Sequence, residues 1–240
     1  MSAIHGRSTS VLVNQFDLSN QLKTFSAKNA APELECTAFQ DTARQYISNF
    51  REGSLSLEGF FHQDPVALNG TDDVFQDLKD DSSPAVVTVS PEGATIGKRT
   101  LLCNAVEIKI DVSSPADNYI SAMADFRGEV DQGVVLSAAL AAVTTTGNGT
   151  AHDNAVSSAN GGVAHLHITA ASGTTPTNTT KIQHSTDSST WVDLLTFTAK
   201  TGVGSERKTV TGTVNRYVRE VHTLGGSSPS FTQLIAFARL

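Results

Sequence analysis

The feature that most constrains the fold is a pair of long segments in which apolar and charged side chains alternate. Within Arg99–Val112, the run VEIKIDV from Val106 to Val112 alternates branched apolar residues with charged ones. The segment 119–130 continues in the same way, with charged side chains at every second position after Met123. Successive side chains on a strand point to opposite faces. With the turn-forming stretch 113–118 between them, the two segments predict a long β-hairpin with one packed face and one wet, charged face.

Composition favours strands and turns over helices. Hydrophobic residues make up 39% and charged residues 17% of the chain, which is ordinary for a protein that buries a core. Aromatic residues are few at 6%, whereas Thr, Ser, Val, Ala and Gly are abundant. A length of 240 residues suits one large or two modest domains. The sequence therefore predicts a mainly β protein.

Cellular location is constrained by short apolar runs. The longest uncharged apolar run, Val134–Val143, is far shorter than the ~20 residues that a membrane helix needs. The first ten residues, MSAIHGRSTS, lack the apolar core of a secretory signal. We expect the protein to stay in the cytosol in which it is made, without membrane contact. In that reducing compartment Cys36 and Cys103, which lack CxxC spacing, are expected to be free, buried thiols.

Charge is distributed unevenly along the chain. Residues 1–131 contain 19 acidic and 10 basic side chains, net −9, and residues 132–240 contain 5 and 7, net +2, which together give the −7 of the whole chain. A sequence pI near 5.4 argues against a dedicated nucleic-acid binder, because phosphate binding requires a basic surface. An acidic surface suits solubility, and it also suits a wall that DNA passes without adhering.

The first half is predicted to contain strands around one short helix. A polar segment at 69–78 changes the period: Val74, Phe75 and Leu78 form one apolar stripe, and acidic residues occupy the first turn. Pro84 disfavours helix before it, so we expect the helix to end in the stretch 80–84. The other predicted strands of this half are Val11–Leu18, Leu34–Phe39, Leu55–Phe61 and Ala85–Ser90.

A boundary is expected near residues 129–133, which divides the chain into domains 1–132 and 133–240. Beyond it, short strands alternate with turns rich in Ser, Thr and Gly, as in a β-sandwich of the jelly-roll or immunoglobulin-like kind. The predicted strands there are Val134–Val143, Gly162–Ala171, Thr179–His184, Trp191–Ala199, Glu206–Val210, Tyr217–Thr223 and Phe231–Arg239.

No motif for catalysis or cofactor binding is evident. A phosphate-binding glycine loop, GxSxG and HExxH are all missing, so no catalytic, cofactor or metal residue is predicted. His165 and His167 share a strand face and His184 could lie across from them, but without a carboxylate cluster we expect the pair on the wet face rather than on a metal. Trp191 is expected to anchor the sandwich core.

One more pair is ambiguous on sequence alone. Arg216 and Tyr217 stand at a predicted strand start, where either a surface salt bridge or a subunit contact is consistent with their residue types.

Two regions resemble the tail tube proteins of long-tailed, siphovirus-type bacteriophages. The first is Cys36–Phe61, CTAFQDTARQYISNFREGSLSLEGFF, in which a Thr-x-Phe-x-Asp-Thr-Ala-Arg-x-Tyr-Ile run precedes a turn and a strand ending in Glu-Gly and aromatics. Asn49 stands where such proteins usually place Gly, and Asn tolerates a left-handed backbone. The second comprises Gly162–Ile168, Ile182–Asp187, Arg216–Arg219 and Ala236–Leu240.

The resemblance implies a structural, non-enzymatic virion protein. Its first domain, a tail-tube sandwich or barrel with one short helix, would form hexameric rings that stack into the tail tube, the conduit for DNA ejection. Expected partners are further copies of the chain, the tape measure protein, and the tail tip and terminator proteins. Double-stranded DNA would pass through without specific binding. Assembly would take place in the host cytoplasm, and no cofactor is implied.

The charged face of the predicted hairpin is the candidate channel wall. Four acidic and two basic residues there give net −2 per subunit. They are Glu107, Lys109, Asp111, Asp125, Arg127 and Glu129. The alternative is a non-enzymatic, carbohydrate- or receptor-binding β-sandwich protein of the virion surface.

Overall fold

Strands dominate the structure, a computed structural model that describes residues 6–48, 50–79, 81–137 and 140–240. One α-helix lies among the strands of these residues. The prediction of a mainly β protein with one short helix is therefore confirmed. Asn49, to which the sequence assigns the turn, lies outside the described residues.

The elements of the first half begin after a 3-10 turn at Gly6–Ser8. In chain order they are β1 (Ser10–Val13), β2 (Phe16–Asp17), β3 (Leu22–Ala30), β4 (Glu33–Glu35), β5 (Tyr46–Ser48), β6 (Glu52–Phe60), α1 (Thr71–Lys79), β7 (Ala85–Ser90), β8 (Arg99–Ser113) and β9 (Ser121–Val135).

In the described part of the second half, every element is a strand. In chain order they are β10 (Ala142–Val143), β11 (Gly147–Asn148), β12 (His152–Asp153), β13 (Gly162–Ser185), β14 (Val192–Thr196), β15 (Gly204–Val210) and β16 (Tyr217–Arg239).

The first half is an antiparallel sheet covered on one face by α1. Its strands follow the order β3-β6-β9-β8-β7-β1-β2. The predicted apolar stripe of the helix is confirmed, since Val74, Phe75 and Leu78 are buried in one core with Leu57 and Phe126 of the sheet. The rings of Phe75 and Phe126 meet edge to face at 6.5 Å. The helix thus fixes which sheet face is dry.

The hairpin of β8 and β9 confirms the prediction from alternation, but other strands of this half differ from it. The predicted strand Val11–Leu18 is split into β1 and β2 by a turn in which Asn14 has a φ of 50°. The predicted Leu34–Phe39 strand is limited to β4, which among the described strands pairs only with β5. Strand β3 has no counterpart in the sequence prediction, because its residues LKTFSAKNA are too polar to show a clear packed face.

The second half is built on two very long strands, β13 and β16, which pair with each other from Gly162↔Arg239 to Ser185↔Tyr217. The sequence predicts each of them as two separate strands. Residues from both ends of β13, such as Ile168 and Ile182, belong to one core with Val218 and Phe231 of β16. The paired ribbon therefore folds back on itself into a sandwich, and the fold occurs where the register shifts between residues 172 and 177.

The two halves are joined by a continuous strand and by buried contacts. Strand β9 pairs with β8 along most of its length and then, through Gly133–Val135, with β16. The predicted domain boundary between residues 132 and 133 thus lies within a strand, and the division into two domains stays a prediction. Two apolar clusters, which we call the junction, connect the halves. They consist of Leu12, Ala94, Val135 and Leu234, and of Leu102, Val163, Ala236 and Ala238.

Candidate functional site

The sheet face opposite α1 is polar where β3, β6, β9 and the far end of β8 lie side by side. On β6, buried Leu55 and Leu57 alternate with partly exposed Ser54, Ser56 and Glu58. This face, which we call the wet face, follows directly from the period-two pattern of the sequence. It is the structural counterpart of the predicted charged face.

A β-bulge in β8 interrupts the predicted alternation. Glu107 is opposite Phe126, which is fully buried on the α1 side, whereas Lys109 is opposite Asp125. The extra residue, Ile108, is accommodated between them. The expectation that Glu107 shares a face with Lys109 and Asp111 is therefore wrong. Because one residue is inserted, the residues of β8 before the bulge point to the opposite sheet face from the one that strict alternation predicts.

Glu107 consequently lies against the helix side of the sheet. Its Oε2 is buried and has no hydrogen-bond partner. Burial raises the pKa of this carboxyl, and the nearby ammonium of Lys79 opposes the rise. The carboxylate lines a cleft of about 380 Å³ together with Gln76, Ile110 and Val112.

The wet face carries more acid than base. The other five residues predicted for the channel wall lie on it, and the register adds three more from β3 and β6. The charged residues of the face are Lys28, Lys109 and Arg127, and Glu52, Glu58, Asp111, Asp125 and Glu129. The five acidic and three basic groups at paired positions of this face give net −2, counted without Arg207 of β15, which pairs with Glu129, and without Lys23, whose ammonium interacts with Glu58.

Ion pairs hold part of this face. Lys109 pairs with Asp111, and this contact raises the pKa of the lysine. Arg127 lies 3.6 Å from a carboxylate oxygen of Glu52. Because these side chains are about half exposed or more, water screens each pair, and each contributes little to the stability of the fold.

The four-strand part of the sheet is open at both lateral edges within the described residues. Strand β3 pairs with β6 on one side only. At the other edge, β7 stops pairing at Ala85↔Ala105, so β8 from Val106 to Ser113 pairs with β9 alone. An edge strand presents unpaired N–H and C=O groups that can pair with another chain.

The motif segment between β3 and β6 is an exposed hairpin. Strands β4 and β5 pair with each other and with no other strand of the described chain. Asp41 Oδ2 accepts a hydrogen bond of 2.7 Å from Ala38 N, and Thr37 Oγ1 accepts one of 3.1 Å from Gln45 N. The Thr and Asp of the motif therefore close the hairpin tip on itself. Its apolar side chains, including Phe39 and Ile47, are exposed.

Two predictions about the histidines fail. His165 and His167 do share a strand face, but both are fully buried rather than wet. Their face of β13 is covered by the first half of the chain, where Thr88 of β7 contacts both rings. His184 lies apart from them, with its Nδ1 accepting from Asn215 N at 3.2 Å. Among the described residues no cluster of His, Cys, Asp and Glu is suited to a metal ion.

The predicted core position of Trp191 is also wrong. Its ring is only partly buried and is covered by the guanidinium of Arg219 at 4.1 Å. Arg216 forms a two-point ion pair with Asp153, at 2.7 and 2.6 Å, which fits the salt-bridge interpretation of that residue.

The two cysteines differ in exposure. Cys36 is exposed in the motif hairpin, contrary to prediction, whereas Cys103 is a buried free thiol whose pKa is raised to about 12 by burial. None of the helices found in the described ranges has the length and apolar character required to cross a membrane.

Comparison with known proteins gives matches among solved structures alone. No protein-family model matches the chain, and no curated protein matches it. A structure titled "Virion of native gene transfer agent (GTA) particle" is 16% identical, with a TM-score of 0.41 over 54% of this chain and 98% of that one. The SPP1 Dit protein, described as a hub adsorption apparatus protein, is 12% identical, with a TM-score of 0.37 over 96% and 98%.

A third match is the baseplate of the anti-feeding prophage, at 13% identity and a TM-score of 0.37 over 55% of this chain and 95% of that one. With TM-scores below 0.5, none of these likenesses carries an argument about the function of this chain.

Proposed function

We propose that this chain is a structural virion protein that assembles into stacked hexameric rings and forms the tail tube of a long-tailed bacteriophage. The observation that carries the proposal is the four-strand sheet β3-β6-β9-β8, which is open at both edges and wet on one face. The sequence resemblance of Cys36–Phe61 to tail tube proteins points to the same assembly. The protein is proposed to be non-enzymatic.

The geometry of the two edges supports closure between copies. The four strands alternate in direction, so β8 of one copy runs antiparallel to β3 of the next when both join one sheet. The lengths also match, since β3 has nine residues and the open part of β8 covers the eight from Val106 to Ser113. Closing the sheet into a barrel removes every exposed edge, which favours a ring over an open aggregate.

The motif hairpin supports stacking of rings. A projecting two-stranded hairpin with exposed apolar side chains is costly in water unless another surface covers it. In a stack of rings, the covering surface would be the neighbouring ring, with Phe39 and Leu34 as contacts. The self-closed tip keeps the hairpin in one shape, so little conformational entropy is lost on docking.

The wet face supports a conduit for DNA. A net charge of −2 per copy, repeated around a ring, repels a duplex and keeps it from adhering during ejection. In this arrangement the helix side of the sheet faces away from the channel, so Glu107 is not part of the channel wall. The tape measure, tail tip and terminator proteins are proposed as partners on the basis of the sequence resemblance alone.

The experiment is sedimentation velocity of the full chain, alone and with tail-tip initiator, on wild type and on proline variants of β3. Backbone N–H groups point alternately toward and away from β6, so in the pair Ser26→Pro and Ala27→Pro one variant loses only an outward donor. That variant should keep its thermal midpoint and lose assembly. Val192→Pro, at the first residue of exposed strand β14, is the matched control and should assemble.

Two results would contradict the proposal. One is a wild-type chain that stays monomeric at high concentration with initiator present. The other is assembly by both β3 variants at wild-type concentrations, since then the β3 edge plays no part in the contact.

A further inference from the structure

Two buried histidines stand at the junction between the halves of the molecule. His165 and His167 lie two residues apart on β13, and both side chains are fully buried. The hydroxyl of Thr88, on β7, lies 3.1 Å from His165 Nδ1 and 2.7 Å from His167 Nε2. His167 Nδ1 lies 2.6 Å from the carbonyl oxygen of Asn14, in the turn after β1. One polar network thus joins the second half of the chain to two elements of the first.

With both rings neutral, the network has one consistent arrangement of protons. The carbonyl of Asn14 can only accept, so His167 Nδ1 donates and its Nε2 accepts from Thr88. The single hydroxyl proton of Thr88 is thereby used, so His165 Nδ1 must donate to Thr88. His165 Nε2 is then left as a bare lone pair, and it is indeed buried without a partner.

The charged groups around the pair do not favour a proton. Arg207 of β15 is opposite His165 in the sheet, and it adds positive charge beside the ring. The neighbouring acids, Glu129 and Asp131 of β9, interact with Arg207. Glu129 forms an ion pair with it, and its positive charge attracts the carboxylate of Asp131. Apart from Arg207, the residues paired with His165, His167 and Thr88 in the described ladders are uncharged. They are Ser205 of β15, Leu234 and Ala236 of β16, and Leu12 and Leu102 of the first half.

We propose that the His165–Thr88–His167 network is an acid-opened latch, which holds the two halves together at neutral pH and releases the junction when the histidines take up protons. An added proton on His165 Nε2 would be buried without an acceptor and beside Arg207. An added proton on His167 Nε2 would displace the bond from Thr88. Both protons are accommodated at little cost once the junction opens to water.

The size of the effect follows from the pKa values. Burial lowers the pKa of His167 from 6.5 to about 4, and it lowers that of His165 well below 6.5. Groups with a depressed folded-state pKa of this kind bind more protons when exposed, so the closed state weakens as the pH falls below 6.5. For His167 alone, the open-to-closed ratio should rise about 20-fold between pH 7 and pH 5.

The test is hydrogen exchange of the full chain at pH 7 and pH 5, with rates corrected for the intrinsic pH dependence of exchange. Amides that bond across the two halves, between Gly133–Leu136 and β16, should lose protection about 20-fold, whereas those of β6 should not. The variants His165→Gln and His167→Gln should show a weaker response. His62→Gln, which changes an exposed histidine, is the matched control and should respond as wild type does.

Three results would overturn the proposal. The first is equal protection, at both pH values, of the amides that bond across the two halves. The second is loss of the response in His62→Gln alone. The third is an equal loss of protection in β6, which would indicate unfolding of the whole chain. Nitrogen NMR of the wild type supplies a readout that needs no variant. Two neutral rings with Nδ1–H at pH 6 are expected, and a ring that titrates near pH 6.5 while the junction stays protected contradicts the latch.

Discussion

Replacing Glu107 by Gln should stabilise the protein at neutral pH, because the bulge in β8 turns this carboxylate toward the helix. Its Oε2 is buried and unpaired. A buried polar group without a partner costs about 1–3 kcal/mol. The side chain is partly exposed and the ammonium of Lys79 attracts it, so screening reduces the expected gain in the free energy of unfolding to about 1 kcal/mol.

The pH dependence of that gain has a definite sign. Burial raises the pKa of Glu107 above its unfolded value, so the folded chain retains the proton to higher pH than the unfolded chain does. Ionisation therefore lowers stability as the pH rises through the folded-state pKa, and the penalty is absent below the unfolded pKa. The advantage of Glu107→Gln should be full at pH 7 and should shrink toward zero at pH 4.

The assay is urea unfolding followed by circular dichroism at both pH values, with Asp111→Asn as the matched control. Asp111 lies on the wet face, half exposed and paired with Lys109, so its loss should destabilise the protein slightly. Opposite signs for the two variants support the bulge. If Glu107→Gln also destabilises at pH 7, Glu107 shares the wet face and the reasoning from the register is refuted.

Three other perturbations test separate parts of the structure. The carboxylate of Glu220, 3.4 Å from the ring of His222, raises the pKa of that histidine. The pair therefore stabilises the fold below pH 6.5 and stabilises it less as the pH rises above that value. Urea unfolding should show the free energy of unfolding fall from pH 6 to pH 8 in wild type, and this fall should be lost in His222→Gln. Thr175 has a φ of 47°, so Thr175→Gly should raise the free energy of unfolding by about 1 kcal/mol, and a loss of stability would contradict the strain. Asp111→Lys and Asp125→Lys together change the net charge of the wet face from −2 to +2. Virions that carry both substitutions should assemble but eject DNA slowly. Ejection at the wild-type rate across a range of salt would show that these residues do not line the channel.

The long hairpin and the helix could be predicted because their periods are strong and local. Three charged residues alternating with branched apolar ones identify a strand, and the stripe of Val74, Phe75 and Leu78 identifies a short helix. The bulge at Ile108 could not be predicted, because an alternating sequence looks the same with or without one unpaired residue. Only the register against β9 reveals that the facing changes.

The prediction that the two histidines face water is wrong for a different reason. Period-two reasoning assigns one face of a strand to the core and the other to water. Strand β13 is covered on both faces, since Leu166 and Ile168 enter the sandwich core while His165 and His167 meet Thr88 of the first half. A contact between residues some 77 positions apart leaves no local signal in the sequence. The polarity of the pair then points wrongly to solvent.

The central claim is that copies of this chain close into rings through the edges of β3 and β8, with the wet face inward. Electron microscopy of the purified full chain at high concentration tests it most directly. The account predicts rings or tubes, in which β3 of one copy runs antiparallel to Val106–Ser113 of the next and α1 lies on the outside. A folded chain that remains a monodisperse monomer with initiator present, or rings in which α1 faces the lumen, would contradict it.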